Sequence, residues 1–282
     1  MPMKRILLPI NGRDAIDPVV QLAFSLARKI VAEVEVAHPH TPYYEVITTV
    51  GEGGSPMQVA QDIESARVRF ETENVEARKR YDAMVENNPG VKTTYFDEEG
   101  NASDIVMRRA FSSDLIVLGN AAAFDTPFWR DVYDGALIHS TRPVLIAPTK
   151  PQDTNTEKLF ASELLIAWSG TAESARALTA AVPFFATAKQ VRIMTISDDP
   201  RQIDTSNQMK QYAQLHGANA SVVVVDPGGK GIAQTLLDEA SERPGTMLVM
   251  GAYSHARWRE RLFGGVTEYV LHHADVPILM AH

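Results

Sequence analysis

The chain has 282 residues, 45% of them hydrophobic and 22% charged, a globular composition with length enough for two domains of ordinary size. It has no cysteine, which excludes a disulfide framework, a zinc–thiolate site and a thiol nucleophile. Acidic side chains outnumber basic ones by 35 to 27, a net charge of −8, so neither nucleic acid nor an anionic membrane surface is an expected partner.

The opening residues MPMKRILLPINGRD meet charge too early for a signal peptide or a membrane span, and the cytoplasm is the expected location. Residues 4–10 (KRILLPI) read as a buried strand closed by the turn Asn11-Gly12. Asp17 and Pro18 then suit the N-cap and N1 positions of a helix whose buried face is Val19, Leu22, Ala23, Leu26, Ala27 and Ile30. A second strand follows at 33–38 (EVEVAH), then a loop over 39–57. Beyond it a helix places Ile63, Ala66, Phe70, Ala77, Tyr81 and Met84 on one face. Strands at 91–96 (VKTTYF), 114–119 (DLIVLG) and 142–148 (RPVLIAP) complete the first half, the last with proline where its missing N–H is tolerated. Residues 148–158 (PTKPQDTNTEK) carry prolines and polar residues without apolar periodicity, and read as a linker.

The second half repeats this order. Residues 162–168 (SELLIAW) are the opening strand, Ser169-Gly170 the turn, and Ala175, Leu178, Thr179 and Val182 the helix face. Strands follow at 191–196 (VRIMTI), 221–226 (SVVVVD), 246–251 (TMLVMG) and 276–282 (VPILMAH). The final helix sets Val266, Val270 and Ala274 on one side. Alternating strands and helices demand parallel strands with helical crossovers. The expected architecture is therefore α/β, two tandem doubly wound five-stranded sheets over residues 1–148 and 159–282.

In such sheets ligands bind beyond the carboxyl ends of the strands, where the winding reverses. The segment after the fourth strand of the second half, 251–271, combines Gly251, Ser254, Gly264 and Gly265 with a helix start and the charges Arg257, Arg259 and Arg261. Glycines there let backbone amides approach an anion, and the helix end adds its dipole. The spacing Gly251, two residues, Ser254, nine residues, Gly264-Gly265 resembles the signature of the nucleotide-binding universal stress protein family. Ser254 stands where that family has a second glycine, and Gly265 where it has serine or threonine. At the end of the opening strand, where the family holds an aspartate, stand Asn11 and Ser169.

The resemblance implies the universal stress protein fold, of the adenine nucleotide alpha hydrolase-like type, with closing strands 143–147 and 277–281 pairing across a pseudo-twofold axis. The chain would then be an intrachain pseudo-dimer, and further homodimerisation is compatible with the family. It implies ATP or ADP, with magnesium, in the second half: Ala167 and Ser169 at the base or ribose, Gly251, Ser254, Gly264 and Gly265 at the phosphates, and Val266 completing the set. The nucleotide would be a regulatory ligand of a stress-response protein with an unidentified protein partner. At most slow ATP hydrolysis is expected, because no general base is identifiable. In the first half Gly119 matches the first glycine and Ala122 falls at the second, but Phe128-Trp129-Arg130-Asp131 falls at the phosphate glycines, with Asp125 and Asp134 nearby. That half reads as a degenerate copy with a structural or partner-binding role.

Two other readings stand beside this one. A nucleotide-free interaction protein would have lost both pockets. The string Ser169-Gly170-Thr171-Ala172-Glu173-Ser174 resembles the phosphate loop of ATP pyrophosphatases, which would imply an ATP-dependent enzyme; its plain alternative is a serine- and threonine-rich helix start. His38 and His40, like His272 and His273, lack an accompanying carboxylate cluster in the sequence and read as surface or packing residues, with no metal site expected. Trp129, Trp168 and Trp258 read as packing residues, Trp168 also as a wall for an adenine pocket.

Overall fold

The computed structural model describes residues 3–14, 16–40, 56–120, 126–148, 161–226, 229–252 and 265–282. The first half runs β1 (Arg5–Pro9), α1 (Asp17–Ile30), β2 (Glu33–His40), α2 (Pro56–Asn87), β3 (Thr93–Glu99), α3 (Ala102–Ala110), β4 (Leu115–Leu118), α4 (Pro127–Asp134) and β5 (Val144–Ile146). The second runs β6 (Glu163–Ala167), α5 (Ala172–Phe185), β7 (Gln190–Ile196), α6 (Pro200–Leu215), β8 (Ala220–Val225), α7 (Ile232–Ser241), β9 (Thr246–Gly251), α8 (Gly265–His273) and β10 (Ile278–Ala281). Strand follows helix as expected because the central strands are short apolar runs that must be covered on both faces, while the edge strands β3 and β8 are only partly buried.

The strands form one ten-stranded sheet in the order β3-β2-β1-β4-β5-β10-β9-β6-β7-β8. Within each half the pairing is parallel. The halves meet through an antiparallel ladder in which Ile146 faces Ile278, Leu145 faces Leu279 and Val144 faces Met280. The two sheets expected from the sequence are thus fused by their closing strands. In each half the winding reverses where the opening strand lies beside the fourth, β1 beside β4 and β6 beside β9.

Several boundaries differ from expectation. Asp17 is the first residue of α1, not its cap; Ile16 takes the cap position without a side-chain bond, and Asp17 puts its charge in the first turn, where it complements the helix dipole. The buried face of α5 is Ser174, Ala177, Leu178, Ala181, Phe184 and Phe185, while Thr179 is exposed and Ala175 half-buried. The two phenylalanines, absent from the expected face, set the rotation because they carry the most apolar area. On α2, Ala66, Ala77 and Met84 are buried and Ile63, Phe70 and Tyr81 half-buried, the face expected. The loop expected over 39–57 gives Pro39 and His40 to β2 and Pro56 and Met57 to α2; residues 41–55 lie outside the described residues, as does the linker from residue 149.

One charge cluster lies inside each half, at equivalent positions with opposite sign. Glu35 pairs in register with Leu7 on β1, and Arg192 with Leu165 on β6. Both are nearly inaccessible, at 3% and 4% exposure. Glu35 faces Arg5 and Arg109, each at 3.8 Å. Arg192 faces Glu239 at 3.0 Å and Glu163 at 3.8 Å, and also donates to the main-chain carbonyl of Glu239. Burial holds the Glu35 carboxyl above its ordinary range against the pull of Arg109 and Arg5.

Removing one member of a buried ion cluster leaves the others desolvated and unpaired. Arg192→Met should therefore lower unfolding stability by about 3 kcal/mol, and adding Glu239→Leu should restore most of the loss, both read from chemical denaturation. Val31 ends α1 in the left-handed region at φ 55° and ψ 54°, where a β-branched side chain is strained, and it is exposed. Val31→Asn should stabilise the chain by about 1 kcal/mol in the same measurement.

Candidate functional site

A cleft of about 250 Å³ opens at the carboxyl ends of β6 and β9, where the winding of the second half reverses. Ala167, Ser169, Gly251 and Val266, four residues expected at the ligand, line it together. Gly265, a fifth, is the first residue of α8 and precedes Val266 directly. Ser254 and Gly264, with Arg257, Trp258, Arg259 and Arg261, lie outside the described residues.

Trp168 supplies one wall and is fixed from every side. Its indole N–H donates to Thr205 at 3.0 Å, its backbone N–H to the carbonyl of Met194 at 2.8 Å, and its own carbonyl accepts from Gln202 Nε2 at 3.2 Å. Met194 and Met250 form the floor, both buried. Gln202 and Thr267 bring polar atoms to the rim. No charged side chain lines this cleft among the described residues. Gln202 and Thr267 escaped the sequence reading: Gln202 sits on α6, which the motif does not touch, and Thr267 lies two positions beyond the last glycine of the motif.

The two described glycines of the motif have different structural roles. A Cβ on Gly251 would lie 2.7 Å from the backbone at Glu173 and Ser174, so this glycine lets β9 end against the first turn of α5. Nothing lies within 4 Å of a Cβ built on Gly265, so that position is open. The string from Ser169 to Ser174 forms a capping box. Thr171 Oγ1 accepts from the Ser174 N–H, and Ser174 Oγ from the Thr171 N–H, the plain helix start weighed against a phosphate loop.

In the first half the turn after β1 is tied to α2 and α4 by its own side chains. Trp129, 2% exposed, donates its indole N–H to Asp14 at 2.7 Å, and Asn11 donates to the same carboxylate oxygen at 2.7 Å. A Cβ on Gly12 would strike the carbonyl oxygen of Glu73, so α2 is pressed onto the turn after β1. Arg13 bridges to Glu73 at 2.5 Å and Arg80 holds the carbonyls of Arg13 and Asp14. Burial, reinforced by Asp134, raises the Asp131 carboxyl above its ordinary range. Large side chains and acidic charge thus gather at the turn after β1 and at the start of α4.

The histidine pairs divide. His272 and His273 do not converge; His273 bonds the carbonyl of Tyr269 and stacks on its ring. His38 and His40 do have a carboxylate, against expectation. Both direct a ring nitrogen at Asp97 Oδ1, at 3.0 and 3.1 Å, because β3 runs beside β2 with Asp97 opposite His38. That register is not visible in the sequence. Among the described residues no group of three or more candidate ligands could hold a metal ion, and no helix is long and apolar enough to cross a membrane.

Residues 162–282 match the model of the universal stress protein family. A comparison with curated proteins returns no match. Among solved structures, a universal stress protein from Archaeoglobus fulgidus is 17% identical over 98% of this chain and 95% of its own, with a TM-score of 0.67. A putative universal stress protein from Pseudomonas aeruginosa is 13% identical over 98% and 92%, with a TM-score of 0.54. The cytoplasmic domain of a prokaryotic cation chloride cotransporter is 12% identical over 99% and 95%, also at 0.54. These likenesses show the fold over the whole chain.

Burial pushes the His38 imidazole below its ordinary value of 6.5, opposed in part by Asp97. The unfolded chain then binds more protons than the folded one near that value. His38 contributes stability above pH 6.5 that is lost as the pH falls through 6.5 toward the folded value, with a slope of at most about 1.4 kcal/mol per pH unit. His38→Gln should flatten the stability profile in that window, measured by denaturation at stepped pH; an unchanged slope would place the acid sensitivity elsewhere.

Proposed function

Residues 162–282 are a universal stress protein family domain, and on that premise we propose that this half of the chain binds an adenine nucleotide as a regulatory ligand in a stress response. The observation that carries the reading is the convergence of Ala167, Ser169, Gly251 and Val266, distant in sequence, on one uncharged cleft at the reversal of the winding. An uncharged cleft with apolar walls and a few polar rim atoms suits a purine ring. At about 250 Å³ it falls just below the usual 300–1,000 Å³ of ligand pockets, with room for the base but not for a whole nucleotide. The phosphates would extend toward Gly265 and the start of α8, where the N-terminal amides and helix dipole favour negative charge. Ser254 and Gly264 belong to the same proposed cradle by their spacing. Among the described lining residues there is no acid or base suited to fast chemistry, and the role we propose is a bound signal.

Gly265→Val separates binding from folding, because its side chain would enter open space and the native φ is not left-handed. Calorimetric titration with ATP and magnesium should show binding to the parent chain and at least about tenfold weaker binding to the variant, at equal thermal stability. An absence of heat and of thermal shift at about millimolar nucleotide, or full affinity in Gly265→Val, would sink the reading. Gly251→Ala is expected to fail differently: it should destabilise the fold itself, because β9 and α5 could no longer touch.

A further inference from the structure

The fusion of β5 with β10 leaves the ten-stranded sheet two outer edges, β3 and β8. We propose that β8 is an interaction surface for a second copy of this chain, the two copies pairing β8 antiparallel to β8 across a twofold axis. The two edges hold equivalent places in the two halves, and the difference between them carries the case.

The outer backbone of β8 is open. The Val191 N–H donates to the carbonyl of Asn219 at 2.9 Å, and the Ser197 N–H to that of Val225 at 3.2 Å. Residues 219, 221, 223 and 225 therefore turn their main-chain groups to β7, and the residues between them point the other way. Ala220, Val222 and Val224 thus direct N–H and C=O groups away from the sheet, where no strand among the described residues meets them.

The side chains leave this edge unprotected. Edge strands are ordinarily blunted by charge, proline or a bulge. β8 reads ASVVVV, with neither charge nor proline, and Val224 is 46% exposed. α6 packs on β8, and its last residue, Leu215, is 86% exposed. The other edge is guarded: β3 reads TTYFDEE, so a ladder between two copies there would gather Asp97, Glu98 and Glu99 from each. Like charge blocks β3, and nothing comparable blocks β8.

A second copy fits because the strand is complementary to itself. An axis through Val222 pairs it with Val222 of the partner subunit and sets Ala220 against Val224 of the partner subunit. Every outward donor then meets an outward acceptor, and the small side chain lies opposite the large one. Asp226, the first charge past β8, comes opposite Ala218 of the partner subunit, so no like charges meet. The ladder continues a sheet that already joins two parallel halves in the same antiparallel way, through β5 and β10. A single strand pair buries less than the about 1,000 Å² of a stable interface, so the association is weak and reversible, with a Kd on the order of 100 µM.

Sedimentation of the full chain between about 10 µM and about 0.5 mM tests this, with a monomer expected to pass reversibly to twice its mass and no further. Val222→Pro removes an outward N–H that β7 does not use, and should weaken association about tenfold or more. Val224→Lys, at an exposed position that folding does not need, should do the same by carrying a charge into the seam from each copy, and it decides the matter if the proline variant fails to fold. Glu99→Lys on β3 should leave association unchanged. A monomer throughout, or unchanged association in Val224→Lys, would overturn the proposal. So would loss of association in Glu99→Lys, or mass that grows past two chains, the sign of β8 joining β3 head to tail.

Discussion

Three residue pairs hold this molecule together as one sheet. Val144, Leu145 and Ile146 of β5 lie against Met280, Leu279 and Ile278 of β10, all wholly buried. Without that ladder each half would end in an apolar strand with a row of open backbone donors and acceptors, the surface on which chains associate indiscriminately. The ladder removes both edges at once. It also positions the cleft of the second half, because β10 flanks β9 and the Ala281 carbonyl accepts the Ala252 N–H as the chain leaves β9. The geometry at Gly251 is therefore downstream of the seam.

On this shared frame the two halves have been filled with different chemistry. Glu35 among arginines and Arg192 among glutamates occupy equivalent places. The ion-pair partners of each centre lie within its own half, so reversing the sign at the centre requires reversing the sign around it. The strand ends diverge in the same way. The cleft of the second half is uncharged and closes on a tryptophan whose indole is turned away to Thr205. In the first half ionised side chains gather at the ends of β1 and β2, and Trp129 donates its indole N–H to Asp14.

Most strands were legible because they are apolar runs too short for a helix and bounded by turn residues; all ten lie close to where the pattern put them, β3 with its polar residues running on to Glu99. The meeting of Ala167, Gly251 and Val266 was legible through the repeat, which says which strand ends lie at the reversal of the winding. What depends on register was not. Asp97 reaches His38 and His40 because of how β2 and β3 align, and no local pattern encodes that alignment. Glu35 and Arg192 look, in EVEVAH and VRIMTI, like the solvent-facing members of alternating strands, yet helices cover both faces of this sheet. The face of α5 was misjudged because small residues give a weak periodic signal, and two phenylalanines near its end outweigh them.

The sense of the central ladder has a geometric corollary. Strands within each half point the same way, but β5 and β10 run opposite to one another. The rims where the strands of the two halves terminate must therefore face away from each other, one at the top of the molecule and one at the bottom. The ends of β6 and β9 and the ends of β1 and β2 thus lie at opposite edges of the sheet. Any influence of one on the other would have to pass lengthwise through the stiff interior of the sheet.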